Sequence, residues 1–417
     1  MINTNTNIVV QKFGGTSVGD LERIAKVANR IKRTVDTGKH VAVTVSAMGR
    51  TTDRLIATAK EVTLKPSRRE LDVLMATGEQ QSMALMCMAL HQLGVSAESF
   101  SGAQAGFVTT ARHGDARITE VDPQRMVAAF TRGVQVAVVA GFQGRDEDGN
   151  LTTLGRGGSD TTAVAIAAAL GADVCEIYTD TDGVYTTDPH VVPAATKIER
   201  IDYSEMLELA SLGAKVLHPR SVWYARQYGV TIHVRSSFSY NSGTIVTEVD
   251  TVAELRTDNA VTGVALDREH ARINVFDVPD EPGVAARIFS ALGDAGIAVD
   301  MIIQGVPGQP TSQQMSFTIN QDVISEALDA VRPVLEDIGG YAQADADIVK
   351  LSIVGIAVGS TPGIAGRMFA ALASVDANIE MVATSEVRVS AVLRADKAEA
   401  ALKAVHSAFG LDAVTTA

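Results

Sequence analysis

The strongest constraint on this chain is an internal repeat near its carboxyl end. The stretch DEPGVAARIFSALGDAGIAVDMI at 280–302 returns as STPGIAGRMFAALASVDANIEMV at 360–382, an offset of 80 residues. The identical positions in the first copy are Pro282, Gly283, Ala285, Arg287, Phe289, Ala291, Leu292 and Met301. Two copies predict a tandem pair of similar modules, since a stacked solenoid needs about three or more repeats.

Each copy is preceded by a strand pattern (RINVF or KLSIVGI) and followed by an alternating segment (QMSFTI or VRVSAVL). A strand, a Pro-Gly turn, a helix, two strands and a second helix predict a ferredoxin-like βαββαβ unit. We therefore predict domains at 261–345 and 346–417, after a polar linker at 249–260. The first strand, near 261–267, has the alternative of pairing with the second unit.

The first 248 residues alternate short apolar runs with amphipathic segments, and we predict that they form one domain. The apolar runs NIVVQKF, HVAVTVSAM, VQVAVVAGF and ADVCEIYTD are rich in β-branched residues and read as buried strands. This alternation predicts an α/β sandwich on a largely parallel sheet. Ligands of such sheets usually bind in the loops at the carboxyl ends of the strands.

Composition narrows the class of protein. A net charge of −13 disfavours nucleic acid and anionic membrane surfaces as partners. No apolar run reaches the roughly 18 residues of a membrane span, and the N-terminus does not resemble a signal peptide. Cys87 and Cys175 form neither a metal spacing nor a disulfide framework, and the histidines share no spacing. We predict a cytoplasmic protein without a protein-held metal.

The stretch VVQKFGGTSVGD places a lysine beside two adjacent glycines at the end of a strand. Gly14 and Gly15 can expose successive N–H groups to a phosphate, and Lys12 adds a positive charge. A plain tight turn is the alternative. The two commonest phosphate-loop patterns, G-x-x-x-x-G-K-[ST] and G-x-G-x-x-G, are absent from the sequence.

The stretch TTLGRGGSDTTA carries a cation and an acid directly into a helix. Arg156 can hold a carboxylate with two parallel hydrogen bonds. Asp160 would more plausibly orient lysines or Mg²⁺ than contact an anionic substrate. Alternatively, Ser159 or Asp160 is simply a helix cap.

Four further stretches complete the candidate site. YTDTDGVYTTDPH offers Tyr185 to a purine, although turn chemistry explains much of it. GAKVLHPRS carries Lys215, for which a surface position is the alternative. VSAMGRTTD and MATGEQQS place Ser46 at a strand end and Glu79 near a helix start, which suits a small polar ligand.

In this order, the motifs KFGGTSV, SAMG-TTD, TGE, LGRGGSDTTA, Y-D-DGVYT-DP and K-LHPRS resemble the aspartate kinases. The repeat is similar to the paired ACT regulatory modules of those enzymes. The resemblance implies an amino-acid-kinase (carbamate-kinase-like) αβα sandwich followed by two ferredoxin-like ACT domains.

The resemblance also implies roles for individual residues. Catalysis would rest on Lys12, Asp160 and Lys215. ATP would be bound by Lys12, Phe13, Gly14, Gly15, Thr179, Asp180, Tyr185, Lys215 and Val216. The amino-acid substrate would be bound by Ser46, Thr52, Glu79, Arg156, Gly157, Gly158 and Ser159. Mg²⁺ would bridge the phosphates, with no protein ligand assigned.

The implied reaction is ATP-dependent phosphorylation of the β-carboxylate of L-aspartate, the first step towards lysine, threonine and methionine. That nucleophile is already ionised at neutral pH, so charge stabilisation rather than a general base is required. The alternatives are another amino-acid kinase and a non-catalytic amino-acid sensor that has kept the fold. Length and the missing dinucleotide fingerprint exclude a fused homoserine dehydrogenase.

The ACT resemblance implies an effector site for lysine, threonine or both. Its residues would be Asp280, Val284, Ala285, Val299, Asp300, Gln304, Ile364, Ala365, Asn378, Ile379, Thr384, Ser385 and Glu386. An inert dimerisation platform is the alternative. No methionine lies between Met206 and Met301, which favours a homo-oligomer over a separately started regulatory subunit. One departure from the family is His190, where arginine commonly follows DP.

Overall fold

The computed structural model describes residues 7–213, 216–249, 260–305 and 313–412. The chain forms two compact units, one from 1–185, 197–211 and 215–250, the other from 186–196, 212–214 and 251–417. The first domain was predicted to span all of 1–248, but residues 186–196 join the second unit. Val192 packs in that unit's core, and the Thr186 hydroxyl lies 2.9 Å from His406 Nε2. In the described residues, no helix has the length and apolar character of a membrane span.

The first unit has an αβα arrangement whose elements follow the predicted alternation. Its helices are α1 (Leu21–Val35), α2 (Thr51–Val62), α3 (Arg68–Gln92), α4 (Gln124–Thr131), α5 (Gly158–Leu170), α6 (Tyr203–Ser211) and α7 (Pro219–Tyr228). Its strands are β1 (Ile8–Phe13), β2 (His40–Val45), β3 (Ala97–Phe100), β4 (Phe107–Thr109), β5 (Ile118–Val121), β6 (Val136–Ala140), β7 (Gln143–Arg145), β8 (Leu151–Thr153), β9 (Cys175–Thr179), β10 (Val184–Tyr185), β11 (Lys197–Ile198), β12 (Arg200–Asp202), β13 (Ile232–Ser236) and β14 (Thr244–Thr247).

The main sheet of this unit has the order β12-β14-β13-β9-β1-β2-β6-β3. The run from β13 to β3 is parallel, and β14 pairs antiparallel with β13. All residues of β1 and β6 are buried, which explains why those strands read as continuous apolar runs. Because the central strands are parallel, their carboxyl ends meet at one edge.

Two smaller strand groups complete the first unit. One sheet has the order β5-β4-β7-β8, and β10 pairs with β11 as a separate antiparallel ribbon. Strand β8 ends at Thr153 and leads directly to the glycine-rich stretch before α5. The small sheet therefore delivers that stretch to the start of the helix.

The second unit contains two four-stranded sheets. Its strands are β15 (Gly263–Asp267), β16 (His270–Val278), β17 (Ile302–Gln304), β18 (Gln313–Asn320), β19 (Tyr341–Asp345), β20 (Ile348–Val354), β21 (Met381–Thr384) and β22 (Arg388–Arg394). Its helices are α8 (Val284–Asp294), α9 (Ile324–Ile338), α10 (Ile364–Ala373) and α11 (Ala398–Ala408). The sheet orders are β17-β18-β16-β19 and β15-β20-β22-β21.

Each sheet has the ferredoxin-like strand order, and the two modules obtain their fourth strand differently. The first module uses β19, which follows its second helix. In the second, β15 pairs antiparallel with β20, from Gly263 opposite Val354 to Asp267 opposite Lys350. The strand near 261–267 therefore precedes the whole first module in the sequence, yet it pairs with a strand of the second module.

The repeat corresponds to equivalent turns and helix faces. Gly283 and Gly363 have φ angles of 101° and 88°, so both copies need glycine before their first helix. Leu292 and Leu372, which are 80 residues apart, are both completely buried in the cores of their modules.

Candidate active site

The candidate site lies at the carboxyl edge of the parallel sheet, where backbone hydrogen bonds connect the loops. Ser46 N, after β2, donates to Phe13 O at 3.1 Å, and Gly141 N, after β6, donates to Val45 O at 3.1 Å. Gly14 N donates to Tyr178 O at 3.4 Å. Segments far apart in the sequence therefore form one continuous edge.

Lys12 and Asp160 form an ion pair at this edge. Lys12 Nζ lies 2.6 Å from Asp160 Oδ1, and both side chains are nearly buried. Asp160 lies in the first turn of α5. A Cβ built on Gly14 would lie 3.3 Å from Lys12 Nζ, so the ammonium is next to bare backbone. The arrangement places an ammonium beside glycine backbone, which suits an anion.

Gly15 has a packing role that the sequence did not reveal. A Cβ there would lie 3.0 Å from Ala47 O and 3.3 Å from Gly49 O. Gly49 N also donates to Gly15 O at 3.0 Å. Glycine at this position therefore lets the loop after β2 approach the loop after β1.

Glu79 lies inside α3 (Arg68–Gln92), so the prediction that it stands at a helix start was wrong: the helix begins about three turns earlier. Its carboxylate is only half satisfied. Its side chain is buried; Oε1 accepts from Ala47 N at 3.0 Å, whereas Oε2 has no hydrogen-bond partner among the described residues. Burial raises the pKa of Glu79 to about 7, although the bond from Ala47 opposes this. A buried, unpartnered carboxylate oxygen is suited to accept an ammonium group.

Arg156 lies on the glycine-rich stretch between β8 and α5. Its side chain is exposed and makes no ion pair within the described part of the chain. Gly155 and Gly157 have φ angles of 73° and 69°, and a Cβ on Gly157 would lie 2.1 Å from His218 Cγ. The tight packing of Gly157 against His218 fixes the path of the loop and leaves the guanidinium available.

Three hydroxyl candidates lie near this edge, and a fourth hydroxyl supports the loop after β2. Ser46 and Thr52 are partly exposed, and Thr52 is the second residue of α2. The preceding Thr51 is buried and donates to Met48 O at 2.7 Å. A Cβ on Gly141 would lie 2.9 Å from Ser159 Oγ, which places Ser159 beside the loop after β6. Gly158 begins α5.

Asp182 anchors Tyr185, one of the candidate nucleotide residues. It accepts from Tyr185 Oη at 2.7 Å and Asn241 Nδ2 at 2.7 Å, and Lys197 Nζ is 3.3 Å away. The hydrogen bond to Asp182 raises the pKa of Tyr185 to about 12. The Tyr185 ring is therefore held by its hydroxyl.

Of the other predicted nucleotide residues, the structure describes Thr179, Asp180 and Val216, but not Lys215. The Thr179 hydroxyl donates to Asp180 Oδ1 at 3.1 Å, at the end of β9. Lys215 lies outside the described residues, so its predicted role stays a prediction; Val216 is described and partly buried. His190 is exposed in the segment 186–196 of the second unit, where its backbone N donates to Asp188 Oδ1.

The predicted effector residues are spread over both modules. In the first, Val284 belongs to the core, Ala285 and Val299 pack against it, Asp280 precedes α8, and Gln304 ends β17. In the second, Ile364 and Ala365 begin α10, and Thr384, Ser385 and Glu386 lie at and after the end of β21. Asn378 and Ile379 line a cavity of about 420 Å³ with Phe369, Ala373, Asp376 and Ala377.

Asp300, also a predicted effector residue, is already paired. Its Oδ2 lies 2.5 Å from Lys350 Nζ, and Arg388 and His270 lie 3.9 Å from its carboxylate. Burial alone would raise the pKa of Asp300, but the Lys350 ammonium holds it below its ordinary value. An effector would compete with this ion pair.

Sequence reasoning missed several residues that organise the site. Asp72, Arg220 and Asp182 lie within or near the candidate motifs, whereas Asp115 lies outside them, and none of the four was predicted. Asp72 carried one available signal, since it precedes Glu79 by two helical turns on α3. In the described residues no group of three His, Cys, Asp or Glu side chains could hold a metal ion.

Comparison with known proteins supports the same interpretation. The amino acid kinase family model matches residues 7–236, and ACT domain models match 271–336 and 351–409. An aspartokinase from Thermus thermophilus is 60% identical over 406 residues, 97% of this chain and 99% of the relative. The aspartokinase of Pseudomonas aeruginosa is 47% identical over 97% of this chain and 98% of its own.

Solved structures agree with the fold. Aspartate kinase from Synechocystis superposes with a TM-score of 0.80 at 33% identity, covering 98% of this chain and 99% of that one. E. coli aspartokinase III with aspartate and ADP gives 0.80 at 25% identity, and its form with lysine and aspartate gives 0.73 at 26%; each match covers 96% of this chain and 99% of the other. The chain belongs to the aspartokinases of the amino acid kinase family.

Proposed function

We propose that this chain transfers the γ-phosphoryl group of ATP to the β-carboxylate of L-aspartate, forming 4-phospho-L-aspartate. The observation that carries the proposal is the sheet edge itself, where the Lys12–Asp160 pair adjoins Gly14 and where Glu79, bonded to Ala47 N after β2, keeps an unpartnered oxygen. The Lys12–Asp160 pair beside Gly14 suits a phosphate, and the unpartnered Glu79 oxygen suits an ammonium group. The aspartate and ADP bound in the related E. coli structure support both assignments.

The amino acid would be gripped at both charged ends. Arg156 would hold the α-carboxylate with parallel N–H···O bonds, and Glu79 would accept from the α-ammonium. Ser46, Thr52, Gly157, Gly158 and Ser159 would surround the substrate between these two groups. The β-carboxylate would then face the nucleotide, which would be held by Thr179, Asp180 and Tyr185.

Phosphoryl transfer in this arrangement depends mainly on electrostatics. The β-carboxylate has an ordinary pKa near 4 and attacks without a general base. Its repulsion from the triphosphate is the main barrier, and Lys12 with the N–H groups of Gly14 and Gly15 would offset it. Lys215 and Val216 would add further contacts to the nucleotide.

Mg²⁺ would enter with the nucleotide and neutralise its phosphates. Asp160 Oδ1 is buried and makes no hydrogen bond, although it is paired with Lys12, so its carboxylate fits a role beside a cation. Mg²⁺ commonly combines one or two carboxylates with substrate phosphates. Asp160 would also orient the Lys12 ammonium.

We further propose that the ACT modules bind lysine, threonine or both, and that they join copies of the chain into a homo-oligomer. The lysine bound in one E. coli structure supports the first part. Edge strands β17 and β21 expose Ile302 and Val382, which supports pairing with another copy. The buried free cysteines fit a reducing, cytoplasmic setting.

A hydroxylamine-trap assay tests the reaction directly. Incubation with ATP, Mg²⁺ and L-aspartate should yield aspartyl hydroxamate, and L-glutamate or N-acetylglutamate should not replace aspartate. Addition of lysine, threonine or both should lower the rate. Absence of hydroxamate from folded protein that still binds lysine or threonine would favour an amino-acid sensor instead.

A further inference from the structure

A second buried carboxylate lies on the same helix as Glu79. Asp72 precedes Glu79 by seven residues on α3, so the two side chains lie on one face of the helix. Asp72 is completely buried, and Glu79 is nearly so. Unlike Glu79, Asp72 is fully engaged by protein groups.

Asp72 holds the end of β8 and the neighbouring loop. Its Oδ1 accepts from Thr153 Oγ1 at 2.5 Å, and its carboxylate accepts from Gly114 N at 3.1 Å. His113 Nδ1 lies 2.8 Å from Asp72 Oδ2. Hydrogen bonds to a buried charged acceptor are among the stronger ones in proteins, so this attachment is rigid.

The groups held by Asp72 support the loop that carries Arg156. Thr153 is the last residue of β8, three positions before Arg156. The next carbonyl, Leu154 O, accepts from Arg220, whose guanidinium lies 2.6 Å from Asp115. A Cβ on Gly155 would lie 3.1 Å from Asp115 Oδ1 and 3.2 Å from Gly114 O, so Gly114 and Asp115 pack against the loop.

We propose that Asp72 is a positioning residue that sets the distance between the two ends of the amino-acid site. Through Thr153 it attaches the Arg156 loop to the helix that carries Glu79. The proposal rests on the proposed function, in which those two residues bind the α-carboxylate and the α-ammonium. Loss of this attachment shifts Arg156 relative to Glu79. The nucleotide residues on β1 and β9 stay in place.

The Thr153 hydroxyl allows a test that leaves the buried charge intact. Thr153→Val is close in shape and removes the bond to Asp72, whereas Thr153→Ser keeps a hydroxyl there. Thr152→Val is the matched control, because Thr152 is equally buried on the same strand but bonds to Thr109 Oγ1 at 2.6 Å. Thermal unfolding of all three variants measures any general loss of stability.

Thr153→Val should raise the KM for aspartate about tenfold and change the KM for ATP less than twofold. Thr153→Ser should restore the wild-type value, and Thr152→Val should leave both KM values unchanged. Equal effects of Thr153→Val and Thr152→Val, or equal rises in both KM values, would overturn the proposal and leave Thr153 a structural residue.

Calorimetric titration with L-aspartate separates this proposal from the proposed function. Wild-type protein that binds aspartate but forms no hydroxamate would contradict the reaction. In that case, weaker aspartate binding by Thr153→Val alone would still support the positioning role. A wild-type chain that neither binds nor phosphorylates aspartate would overturn both.

Discussion

Lys350 in the second unit and Glu79 in the first are both buried ionisable side chains, but protein groups satisfy them to different extents. In the second unit, Lys350 is 3% exposed, and its Nζ lies 2.5 Å from Asp300 and 3.6 Å from Asp267. In the first unit, Glu79 is 3% exposed, yet its Oε2 has no hydrogen-bond partner in the described residues. The Lys350 ammonium is paired within the protein, whereas one oxygen of the Glu79 carboxylate has no partner among the described residues.

We infer that the paired Lys350 mainly stabilises the fold, whereas the half-satisfied Glu79 binds a ligand. A buried polar group without a partner costs about 1–3 kcal/mol, so the Glu79 carboxylate is best explained by a ligand that completes it. A separate group of ion pairs also joins the two modules: Arg272 lies 2.9 Å from Asp345 of the first and 2.6 Å from Glu380 of the second. These ion pairs between the modules suit the maintenance of a fixed module geometry.

Removing the cation at the sheet edge should have the largest effect. Lys12→Met should reduce kcat about a thousandfold, since a single charge-stabilising group in phosphoryl transfer contributes on this scale. The matched control is Lys26→Met, because Lys26 is exposed on α1 and pairs only with Glu22 among the described residues. Hydroxamate formation by Lys12→Met within tenfold of wild type would contradict the assigned role.

Removing Lys350 from its ion pairs should reduce the free energy of unfolding and leave the rate of phosphoryl transfer unchanged. Lys350→Met should lower the free energy of unfolding of the second unit by about 2 kcal/mol, because it removes the ammonium from the buried Asp267 and the partly exposed Asp300 and leaves only His270 and Arg388 as nearby basic groups among the described residues. Arg268→Met is the control, since the Arg268–Glu399 pair is exposed and spans 3.8 Å. Denaturant unfolding measures both variants, and equal midpoints would contradict the expectation.

The effect of Lys350→Met should depend on pH. The pKa of Asp300 and that of Asp267 lie below the ordinary 3.8, because nearby cations and hydrogen bonds outweigh the effect of burial. Such carboxyls contribute stability that is present above pH 3.8 and is lost as the pH falls through their folded pKa values. The difference between wild type and Lys350→Met should therefore shrink in acid.

Removing the charge of Glu79 should weaken the binding of aspartate and leave the binding of ATP unchanged. Glu79→Gln can still accept from Ala47 N, so it removes the charge with little change in packing. We expect the KM for aspartate to rise about tenfold at pH 8, with the KM for ATP unchanged. Glu70→Gln, an exposed change on the same helix, is the control. A parallel rise in both KM values would exclude a specific ammonium ligand.

The pH profile gives an independent reading of Glu79. With its pKa raised to about 7, the carboxyl takes up a proton below that pH and loses its attraction for an ammonium. The wild-type KM for aspartate should therefore rise as the pH falls below about 7, and Glu79→Gln should flatten this dependence. A wild-type KM that is constant from pH 6 to pH 8 would contradict the proposed contact.

The smallest expected effect concerns the exposed His190. His190→Arg should lower the KM for ATP about two- to threefold, since a permanent charge at an exposed site contributes less than about 1 kcal/mol. His190→Gln, which adds no charge, should leave the KM for ATP unchanged. An unchanged or higher KM in the arginine variant would show that this position does not reach the phosphates.

Residues with a strong local signal could be predicted, and residues defined by distant partners could not. Lys12 and Glu79 were selected from short motifs, whereas Asp72 was missed because its partners His113 and Thr153 lie 41 and 81 residues away. Asp182 was missed for the same reason, since Asn241 is 59 residues away. Hydrogen-bond partners at such separations are not visible in a local pattern.

Local chemistry in the sequence by itself determined the alternation of strands and helices, the buried parallel core and the paired modules. Alternating polarity, β-branched runs and turn glycines act over a few residues, so they can be read without a structure. Only the tertiary structure decided that β15 completes the second module, that 186–196 joins the second unit, and that Glu79 has a pKa of about 7. These features depend on which distant segments remove a group from water, and that is a property of the folded chain as a whole.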